Sequence, residues 1–341
     1  MWVYCSSSGL NALRRNNTRM ALGLLLSVWM SCTWAGGVQP FTVATYNAHL
    51  FFDAYDDPKT RDSVLSQQAF ARKLHQLALY VTQVLDCPDV LAVQEVENKA
   101  TLQSLGDAAC QKEGGYRALL IEGNDFVGMD VGFLVKRRLI IHSLSQLADK
   151  VRISQSKHVL FDHPPLFVQL STQVQGQKIT MVLVHNRSFK GLKNPRQRQF
   201  VERKRIQQAQ WLGAWVGQWL RSHPGGKLIV LGDFNAVNES ESVRLIKNAT
   251  AKRPEQGLID VGLSIPVAER YSYVYKQTAQ ALDHMLVSST LAGAVLKARY
   301  ARANGRWSKQ MPFDAHQFHA LSDHDGLVVS FDRAACCNRV R

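Results

Sequence analysis

One short stretch constrains the fold of this chain more than any other: residues 227 to 237 read KLIVLGDFNAV. An apolar run of strand length stops at Gly232, and Asp233 and Asn235 follow two positions apart. Side chains two apart on an extended chain point the same way, so the pattern places a carboxylate and a carboxamide together where a buried strand ends. Gly232 would allow a close backbone approach there. The alternative interpretation is a turn, because Asp and Asn bond readily to the local backbone.

Similar short apolar runs, bounded by polar residues or glycine, recur along the chain and predict further strands. With residues 228–231, they cover residues 41–46, 90–94, 131–136, 166–170, 179–184, 284–287 and 327–331. Apolar residues at helical spacing predict amphipathic helices over residues 66–85 and 199–220. This order of elements predicts mixed sheets covered by helices on their outer faces, an α/β or α+β sandwich.

The composition is that of a globular protein, with 46% hydrophobic positions among 341 residues. Nothing inside the chain resembles a linker, so we expect one domain over residues 38–333 and a basic tail over residues 334–341. The formal net charge of +14 favours polyanionic partners such as nucleic acid or an anionic membrane surface.

The N-terminal segment has the pattern of a targeting sequence. Residues 20–35, MALGLLLSVWMSCTWA, form an apolar stretch after a basic leader without acidic residues. The run is short for a membrane span, so residues 1–35 are predicted to be a signal peptide cut near Ala35. An uncleaved anchor is the alternative, and bulky residues before Cys32 disfavour a lipoprotein signal. The mature protein is expected to be secreted or periplasmic, monomeric, without a membrane span or a stable protein partner.

Four cysteines would remain after cleavage, an even number that suits an exported protein. A bridge between Cys87 and Cys110 is one expectation, and buried free thiols are the alternative. A bond between the adjacent Cys336 and Cys337 would be strained. Neither pair has the spacing of metal ligands.

Polar side chains stand at most of the predicted strand ends. They are Asn47, Glu95, His185, Asp233, Asn235, Asp283, His284, Asp323 and His324. Turns explain any one of them but explain the recurrence poorly. Carboxylate and amide oxygens suit a hard cation such as Mg²⁺, which keeps waters and takes phosphate oxygens.

Two histidines can then supply an acid and a base near neutral pH. In an in-line attack on phosphorus, one imidazole would take a proton from water while the other, with the metal, stabilises the oxyanion and the leaving oxygen. Asp323 is adjacent to His324 in sequence, so the residue that orients this histidine is left open between Asp283 and Asp233.

A family resemblance rests on several phrases together. VATYNAHLFFD, DVLAVQEVEN, GMDVGFLVKR, VLVH, IVLGDFNA, ALDHMLVS and LSDHDGLVV occur in this order. They resemble the endonuclease/exonuclease/phosphatase superfamily, in particular its secreted bacterial nuclease-like members, over residues 41 to 332. The combination of GDFN with the late SDH is specific. The resemblance implies the deoxyribonuclease-I-like fold, a four-layer α/β sandwich of two mixed β-sheets flanked by helices.

The resemblance also implies roles for individual residues. His324 would be the general base for water, and Asp283 would orient it. Asp233 would position the nucleophile, while Asn235 and His185 would contact the phosphate, the latter as acid or electrophile. The implied metal ligands are Asn47, Glu95 and Asp323. The implied phosphate or substrate contacts are Asn186, Arg187 and Lys190. Asp130 would steady His185.

Three positions depart from the family pattern. Secreted bacterial relatives often carry NVENLFD where this chain has NAHLFFD, so His49 stands at a usual glutamate position. The residues after His185 also differ, which leaves open which of the three predicted contacts holds phosphate. Glu97 stands where deoxyribonuclease I has arginine, so groove binding like that enzyme's is not implied.

The substrate is predicted from a basic strip, residues 187–205, in which eight Lys and Arg residues accompany the single acid Glu202. Such a strip suits a nucleic-acid backbone, and a solvated loop and helix start is the alternative. We therefore predict an exported Mg²⁺-dependent endonuclease acting on DNA or RNA, with Mn²⁺ or Ca²⁺ as alternative ions. The other hypotheses are a phosphodiesterase on lipid headgroups, like a sphingomyelinase, or on inositol phosphates, and a catalytically silent polyanion-binding module. The lipid enzyme would need an exposed aromatic hairpin, for which the sequence shows no candidate.

Overall fold

The structure is a computed structural model, and it describes residues 39–174, 176–248, 257–303 and 321–337. The predicted signal peptide, its cleavage site at Ala35 and residues 338–341 of the predicted basic tail lie outside these ranges. Signal cleavage and export therefore stay predictions.

The described ranges contain fourteen strands and six α-helices. The strands are β1 (Phe41–Phe51), β2 (Val90–Val96), β3 (Tyr116–Leu120), β4 (Asp130–Lys136), β5 (Ile140–Gln146), β6 (Leu166–Ser171), β7 (Ile179–His185), β8 (Lys227–Asp233), β9 (Ile259–Asp260), β10 (Tyr273–Tyr275), β11 (Thr278–Gln280), β12 (Asp283–Val287), β13 (Val295–Ala301) and β14 (Gly326–Phe331). The α-helices are α1 (Gln67–Leu79), α2 (Lys99–Ala108), α3 (Pro195–Ser222), α4 (Glu241–Lys247), α5 (Ser289–Ala292) and α6 (Arg333–Cys337).

The strands form two six-stranded sheets and one hairpin. The first sheet has the order β13-β14-β1-β2-β4-β3, the second the order β5-β6-β7-β8-β12-β9, and β10 pairs with β11. Each large sheet contains one parallel pair, β1 with β2 and β7 with β8, among antiparallel neighbours. The prediction of two mixed sheets is confirmed.

Apolar side chains fill three layers of core. Phe133, Met285 and Phe331 belong to the core between the two sheets. On the outer face of the first sheet, α1 and α2 bury residues such as Leu77. On the outer face of the second, α3 buries residues such as Leu212. Because α1 and α2 cover one sheet and α3 covers the other, the described chain has four layers, as the family resemblance implied.

The predicted elements agree with the structure apart from their ends. All the predicted strands are present, and α1 continues into a π-helical turn at Tyr80–Val84, which completes the helix expected over residues 66–85. Helix α3 starts before the predicted residue 199 because Asn194 caps it, accepting a hydrogen bond from the backbone N–H of Arg196, with Pro195 in the first turn. None of the helices in the described ranges is both long and apolar enough to span a bilayer.

Both cysteine pairs are bonded. Cys87 and Cys110 are joined by a disulfide with their Cα atoms 5.7 Å apart, so the expected bridge is present. Cys336 and Cys337 are also joined to each other, the pairing that the sequence disfavoured.

Candidate active site

Asn47 lies where the strand ends of the two sheets meet. Its Nδ2 donates to Glu95 Oε1 and to Asp233 Oδ2, both at 3.1 Å. Its Oδ1 accepts the backbone N–H of His49 at 2.9 Å. The partners fix the orientation of the amide, since carboxylates only accept and a backbone N–H only donates. This geometry does not support the predicted metal-ligand role of Asn47, because the amide nitrogen faces the carboxylates; the residue links an acid of the first sheet to one of the second.

Irregular backbone aims several side chains into the site. His49, Leu50, Glu95 and Asn235 all have positive φ, between 50° and 59°. The pairing of β1 with β2 shifts register between Asn47 and Phe51, and that of β2 with β4 shifts around Glu95. Bulges of this kind turn a side chain out of the regular alternation of a strand. The sequence placed these residues at strand ends but carried no signal for the bulges.

Glu95, His49 and Asp323 form one edge of the site. Glu95 Oε2 accepts the backbone N–H of Leu50 at 3.0 Å. His49 Nδ1 lies 3.2 Å from Asp323 Oδ1 and 3.9 Å from Glu95 Oε2. Burial acts to raise the pKa of Asp323, but the hydrogen bond from His49 and the charge of His324 outweigh it and lower the pKa to about 2. Asp323 is therefore ionised at neutral pH.

His324 and Asp283 form a buried pair. His324 Nδ1 lies 2.7 Å from Asp283 Oδ2, while Nε2 faces the cleft at 3.9 Å from Asp233 Oδ2. The sequence left Asp283 and Asp233 open as the orienting group, and the structure selects Asp283. Burial alone would lower the pKa of His324, but the charges of Asp283 and Asp233 raise it well above the ordinary value.

Asp233 and Asn235 lie together because of a turn, whereas the prediction placed them on an extended strand. Strand β8 ends at Asp233, whose Oδ1 accepts the backbone N–H of Asn235 at 2.7 Å. Asn235 Nδ2 then reaches Asp233 Oδ2 at 3.2 Å. The turn interpretation was therefore right about the local backbone. Burial raises the pKa of Asp233 to about 7, with His324 opposing and Asp283 adding to the increase.

Gly232, just before this turn, makes the close approach expected of it. It has φ of +133°, and a Cβ built there would lie 2.0 Å from the backbone oxygen of Val184 on the neighbouring strand β7. No other residue type fits between the strands at this point.

His185 ends β7 and faces the same carboxylates. Its Nε2 lies 3.7 Å from Asp233 Oδ2 and 3.9 Å from Glu95 Oε1. His163 stacks on its ring, with centroids 4.6 Å apart, and bonds Met129 O through Nδ1 at 2.8 Å. Burial, reinforced by His163 and His324, lowers the pKa of His185 well below its ordinary value, so its imidazole is neutral.

Asp130 does not steady His185, so that prediction was wrong. Its Oδ1 accepts the backbone N–H of Gly123 at 2.7 Å. Burial and a hydrogen bond with Glu122 raise the pKa of Asp130 to about 9, so the carboxyl is protonated at neutral pH. Among the described residues, His185 Nδ1 has no hydrogen-bond partner. The ring stacking of His163 holds His185 instead, which the sequence could not indicate because His163 lies in a loop.

The three residues predicted to contact phosphate, Asn186, Arg187 and Lys190, have different surroundings. Asn186 is buried under Asn235, whose Nδ2 donates to its carbonyl at 3.1 Å. Arg187 and Lys190 stand on the cleft wall, where the guanidinium of Arg187 donates to the Lys190 carbonyl at 2.9 Å. Arg205 supports this wall from α3 by donating to the carbonyls of Arg187 and Asn235. The support of the wall by Arg205 was not predicted.

The described residues bring these groups to one open cleft of about 540 Å³. It is lined by Glu95, His185, Asn186, Arg187, Lys190, Asp233, Asn235, Asp323 and His324, with His49, Phe126, His163, Phe189 and Tyr273 among the other lining residues. Glu97 is not among them, since its Oε2 accepts the backbone N–H of Asp53 at 2.6 Å inside the first sheet's layer. Tyr273 was also missed by the sequence; its ring lies 5.0 Å from that of His324.

The cleft fits a divalent cation by the chemistry of its donors. The carboxylates of Glu95 and Asp323 remain partly exposed, at 17% and 26%, and both line the cleft. Partly hydrated carboxylates of this kind suit an ion that keeps some of its waters and takes phosphate oxygens.

Comparison with known proteins gives a consistent result. The model of the family described as Endonuclease/Exonuclease/phosphatase matches residues 42–310. Among solved structures, the chain is similar to a family protein from Bacteroides thetaiotaomicron, with TM-score 0.56 and 16% identity, covering 86% of this chain and 100% of that one. It is also similar to truncated Caenorhabditis elegans TDP2, with TM-score 0.54, 15% identity and coverage of 86% and 97%.

A third similar structure is a Bacteroides thetaiotaomicron mannosyl-6-phosphatase, with TM-score 0.53, 15% identity and coverage of 85% and 98%. None of the curated proteins matches the chain in a sequence comparison. At these identities the structural likeness establishes the fold, while the family model establishes membership.

Proposed function

The chain belongs to the endonuclease/exonuclease/phosphatase family, and on that premise we propose that it is a divalent-metal-dependent phosphodiesterase that cleaves nucleic acid internally. One observation carries the proposal: the buried pair of His324 and Asp283 opens onto the same cleft as Asp233 and the two partly exposed carboxylates. The leader sequence and the two cysteine bridges are the basis for proposing that the enzyme is exported.

His324 acts as the general base. Asp283 Oδ2 accepts a hydrogen bond from Nδ1–H of the imidazole at 2.7 Å, so Nε2 of the deprotonated ring is free to take a proton from water. Asp233 Oδ2, 3.9 Å from Nε2, is close enough for one water molecule to bond to both atoms. Asp283 and Asp233 therefore fix the tautomer of the base and the position of the nucleophile.

His185 and Asn235 act on the phosphate. Because the imidazole of His185 is neutral and its Nε2 faces carboxylates, Nε2 carries the proton and can donate it in a hydrogen bond to a phosphate oxygen. The amide of Asn235 lies beside Asp233 and can donate to the same group. Such preorganised donors stabilise the charge that develops on phosphorus oxygens in the transition state.

Glu95 and Asp323 would hold the metal. A bound divalent ion supplies a positive charge that polarises the phosphoryl oxygens and stabilises the leaving oxygen. Asn47 keeps Glu95 in place by donating to its Oε1, so its role in the site is positioning.

The walls of the cleft favour nucleic acid as substrate. Arg187 and Lys190 line the cleft, and so do two exposed aromatic residues, Phe126, which is 68% exposed, and Phe189. Cations that neutralise phosphates next to aromatic rings that stack on bases are the usual means of holding single strands. Phe189 already carries the Arg205 guanidinium on one ring face, 4.2 Å from its centroid, which leaves the other for a base.

One observation favours a second substrate class. The hairpin of β10 and β11 borders the cleft and carries Tyr275, which is 47% exposed. The sequence showed no candidate for an exposed aromatic hairpin, and this element supplies one. A lipid-headgroup phosphodiesterase would use it to contact a membrane surface.

The experiment compares substrates under one set of conditions. Purified protein is incubated with plasmid DNA, single-stranded DNA, RNA, sphingomyelin vesicles and a sugar phosphate, with Mg²⁺ or Mn²⁺ and with chelator. We expect internal cleavage of nucleic acid that chelator abolishes, and a loss of about 10²-fold or more in His324→Gln. The matched control is His75→Gln, because His75 is exposed on α1 and lies outside the cleft lining.

Each other outcome selects a different hypothesis. Hydrolysis of lipid without nucleic acid would transfer the proposal to the second class, and hydrolysis of the sugar phosphate alone would make the enzyme a phosphomonoesterase. Binding of nucleic acid with no metal-dependent hydrolysis of any substrate would identify a silent binding module.

A further inference from the structure

A second groove, of about 480 Å³, adjoins the cleft and has no part in the mechanism above. Three of its lining residues, Phe126, Asp162 and Arg187, also line the cleft. A strand held at the catalytic groups can therefore continue into this groove. The other lining residues are His158, Val159, Arg196, Gln197, Phe200 and Lys204.

An ordered loop presents an aromatic ring where the groove meets the cleft. Phe126 is 68% exposed, yet its backbone carbonyl accepts the N–H of Arg61 at 2.8 Å. In the same loop, the backbone N–H of Asn124 donates to the Asp162 carbonyl at 2.8 Å. The ring is not an isolated apolar residue, since the half-buried ring of Phe200 lines the same groove. An open ring face held in this way is a platform on which a base can stack.

The charge of the groove is positive. Lys204 is bound to both oxygens of Asp162 at 2.7 Å, so these two charges offset each other, and the cations of Arg187 and Arg196 are added to them. Arg196 is exposed in the first turn of α3, which contains no acidic residue. A positive side chain in that turn opposes the helix dipole, and a bound phosphate would offset the repulsion.

We propose that the second groove is a subsite for the nucleotide next to the scissile phosphate on one side, with its base stacked on Phe126 and its backbone phosphate bound by Arg187 and Arg196. The inference rests on the proposed function, because it extends the path of that substrate beyond the cleft. Stacking on an aromatic ring beside cations is sequence-tolerant, since every base has a π-face.

The subsite makes single-stranded nucleic acid the preferred substrate. In a duplex, each base is paired and is already stacked on its neighbours, so it must leave the stack before it can lie on Phe126. In a single strand, the base reaches the ring at a lower cost. The groove therefore deepens the proposed function by distinguishing between two forms of the same polymer.

The first test compares one labelled oligonucleotide as a single strand and as a duplex with its complement. The kcat/KM of the wild type should be higher on the single strand. Phe126→Ala should lower this value by about 5- to 150-fold and leave the value on the duplex unchanged, whereas Phe126→Trp should retain the preference. Tyr55→Ala is the matched control, because Tyr55 is 71% exposed and lines neither cavity.

The second test asks whether the ring and the base act on each other. An oligonucleotide with one phosphodiester among phosphorothioate linkages fixes the position of the cut. Removing the base next to that bond, on one side and then on the other, should lower kcat/KM of the wild type by about 5- to 150-fold on the side that enters the groove. In Phe126→Ala the same removal should have little further effect, because the ring that the base stacks on is already absent.

A third variant changes the groove without changing the lining of the cleft. Arg196 lines the groove alone, so Arg196→Gln should lower kcat/KM on the single strand, with a loss that shrinks as the salt concentration rises. A value equal to that of the wild type at low salt would remove Arg196 from the subsite.

The failures of the two proposals are distinguishable. If the wild type preferred the duplex, or if removing the base had the same effect in the wild type and in Phe126→Ala, the inference would be overturned and the proposed nuclease would stand. The absence of any effect of base removal on either side would have the same meaning. Wild-type protein that hydrolysed neither the single strand nor the duplex would overturn both proposals.

Discussion

At the residue scale, the buried histidines His284 and His324 differ because their hydrogen-bond partners differ. Both ring nitrogens of His284 face acceptors, Asp260 Oδ2 at 2.9 Å and the Ala236 carbonyl at 2.8 Å. Both must therefore donate, so His284 is a cation that ties the turn after β8 to Asp260. His324 has one such acceptor and a second nitrogen that faces the cleft. His284 therefore has a structural role, whereas His324 can exchange a proton with a group in the cleft.

The base of the proposed reaction can be tested through its orienting partner. Asp283→Asn removes the charge that raises the pKa of His324, so the pKa should fall. A general base works deprotonated, and activity is lost as pH falls through its pKa; the acid limb of the pH–rate profile should therefore move to lower pH. The hydrolysis rate itself should fall by about 10²- to 10⁴-fold, because the amide no longer enforces the tautomer.

The profile of kcat/KM against pH on single-stranded DNA checks this prediction. His75→Gln serves again as the control. An acid limb that stays in place in Asp283→Asn would mean that His324 is not the group whose protonation limits the rate.

The ion pair of His284 and Asp260 should make the free energy of unfolding depend on pH. Burial acts to lower the pKa of His284, but the charge of Asp260 outweighs burial and the pKa of His284 is raised. Burial acts to raise the pKa of Asp260, but the charge of His284 outweighs burial and the pKa of Asp260 is lowered. The contribution of His284 is full below about pH 6.5 and is lost as pH rises through its folded pKa. That of Asp260 is full above about pH 4 and is lost as pH falls through its folded pKa.

Asp260→Asn should therefore lower the free energy of unfolding by about 3–5 kcal/mol near pH 6, where it leaves a buried cation without a partner. The loss should be smaller at a pH above the folded pKa of His284. Urea unfolding at a series of pH values from 6 upward measures the loss. A loss that does not decrease anywhere along the series would contradict this prediction.

At the element scale, Gly232 controls the packing of β8 against β7, because a side chain at this position would overlap the backbone of β7. These parallel strands carry His185 and Asp233 at their ends, paired in register. Gly232→Ala would place a methyl group 2.0 Å from the Val184 oxygen and would force a strained φ. We expect a loss of about 3 kcal/mol or more, with hydrolysis reduced in the folded fraction.

Thermal unfolding checks this prediction against Gly293→Ala. A Cβ at Gly293 would meet nothing within 4 Å, so this control should change stability by no more than about 0.5 kcal/mol. Equal melting temperatures for the two variants would mean that the strands can separate at Gly232 without cost.

Buried strands were predicted from the sequence more accurately than partly exposed ones. Strand β8 is buried throughout and reads as a continuous apolar run, so it was predicted to within a residue or two. Strand β5 alternates irregularly between exposed and half-buried residues, and β13 has an exposed edge, so neither has a clear periodicity. These elements could not be read from local pattern because long-range pairing makes them strands.

The same distinction applies to the candidate site. Glu95, His185 and Asp233 stand at the ends of predicted strands, and they lie together because strand ends of the two sheets meet at the cleft. Lys73, on a helix face, donates to the backbone carbonyls of His49 and Leu50, and His163 lines the cleft from a loop; no local pattern marks either role. The turn that joins Asn235 to Asp233 was also misjudged, since an extended strand was assumed beyond residue 233.

At the scale of the whole molecule, the basic strip over residues 187–205 contains side chains that are bonded within the protein and side chains that are exposed. Lys204 is bound to both oxygens of Asp162 at 2.7 Å, and Arg205 donates to the carbonyls of Arg187 and Asn235. These side chains support the cleft wall and contribute little that a polyanion could use. Lys193 and Arg196 are exposed, and Arg196 lines a second groove with Phe126 and Phe200, beside the cleft.

Salt dependence separates phosphate contacts from general surface charge. If Lys193 and Arg196 neutralise phosphates, the double variant Lys193→Gln/Arg196→Gln should reduce the slope of log affinity against log salt by about two, because each lost contact releases about one fewer counterion. Anisotropy of labelled single-stranded DNA between about 50 and 200 mM KCl, with His324→Gln protein to prevent cleavage, gives the slope. Lys297→Gln, exposed on β13 of the other sheet, removes one positive charge outside the strip and should leave the slope unchanged. Equal slopes for all three proteins would assign these side chains to solvated surface.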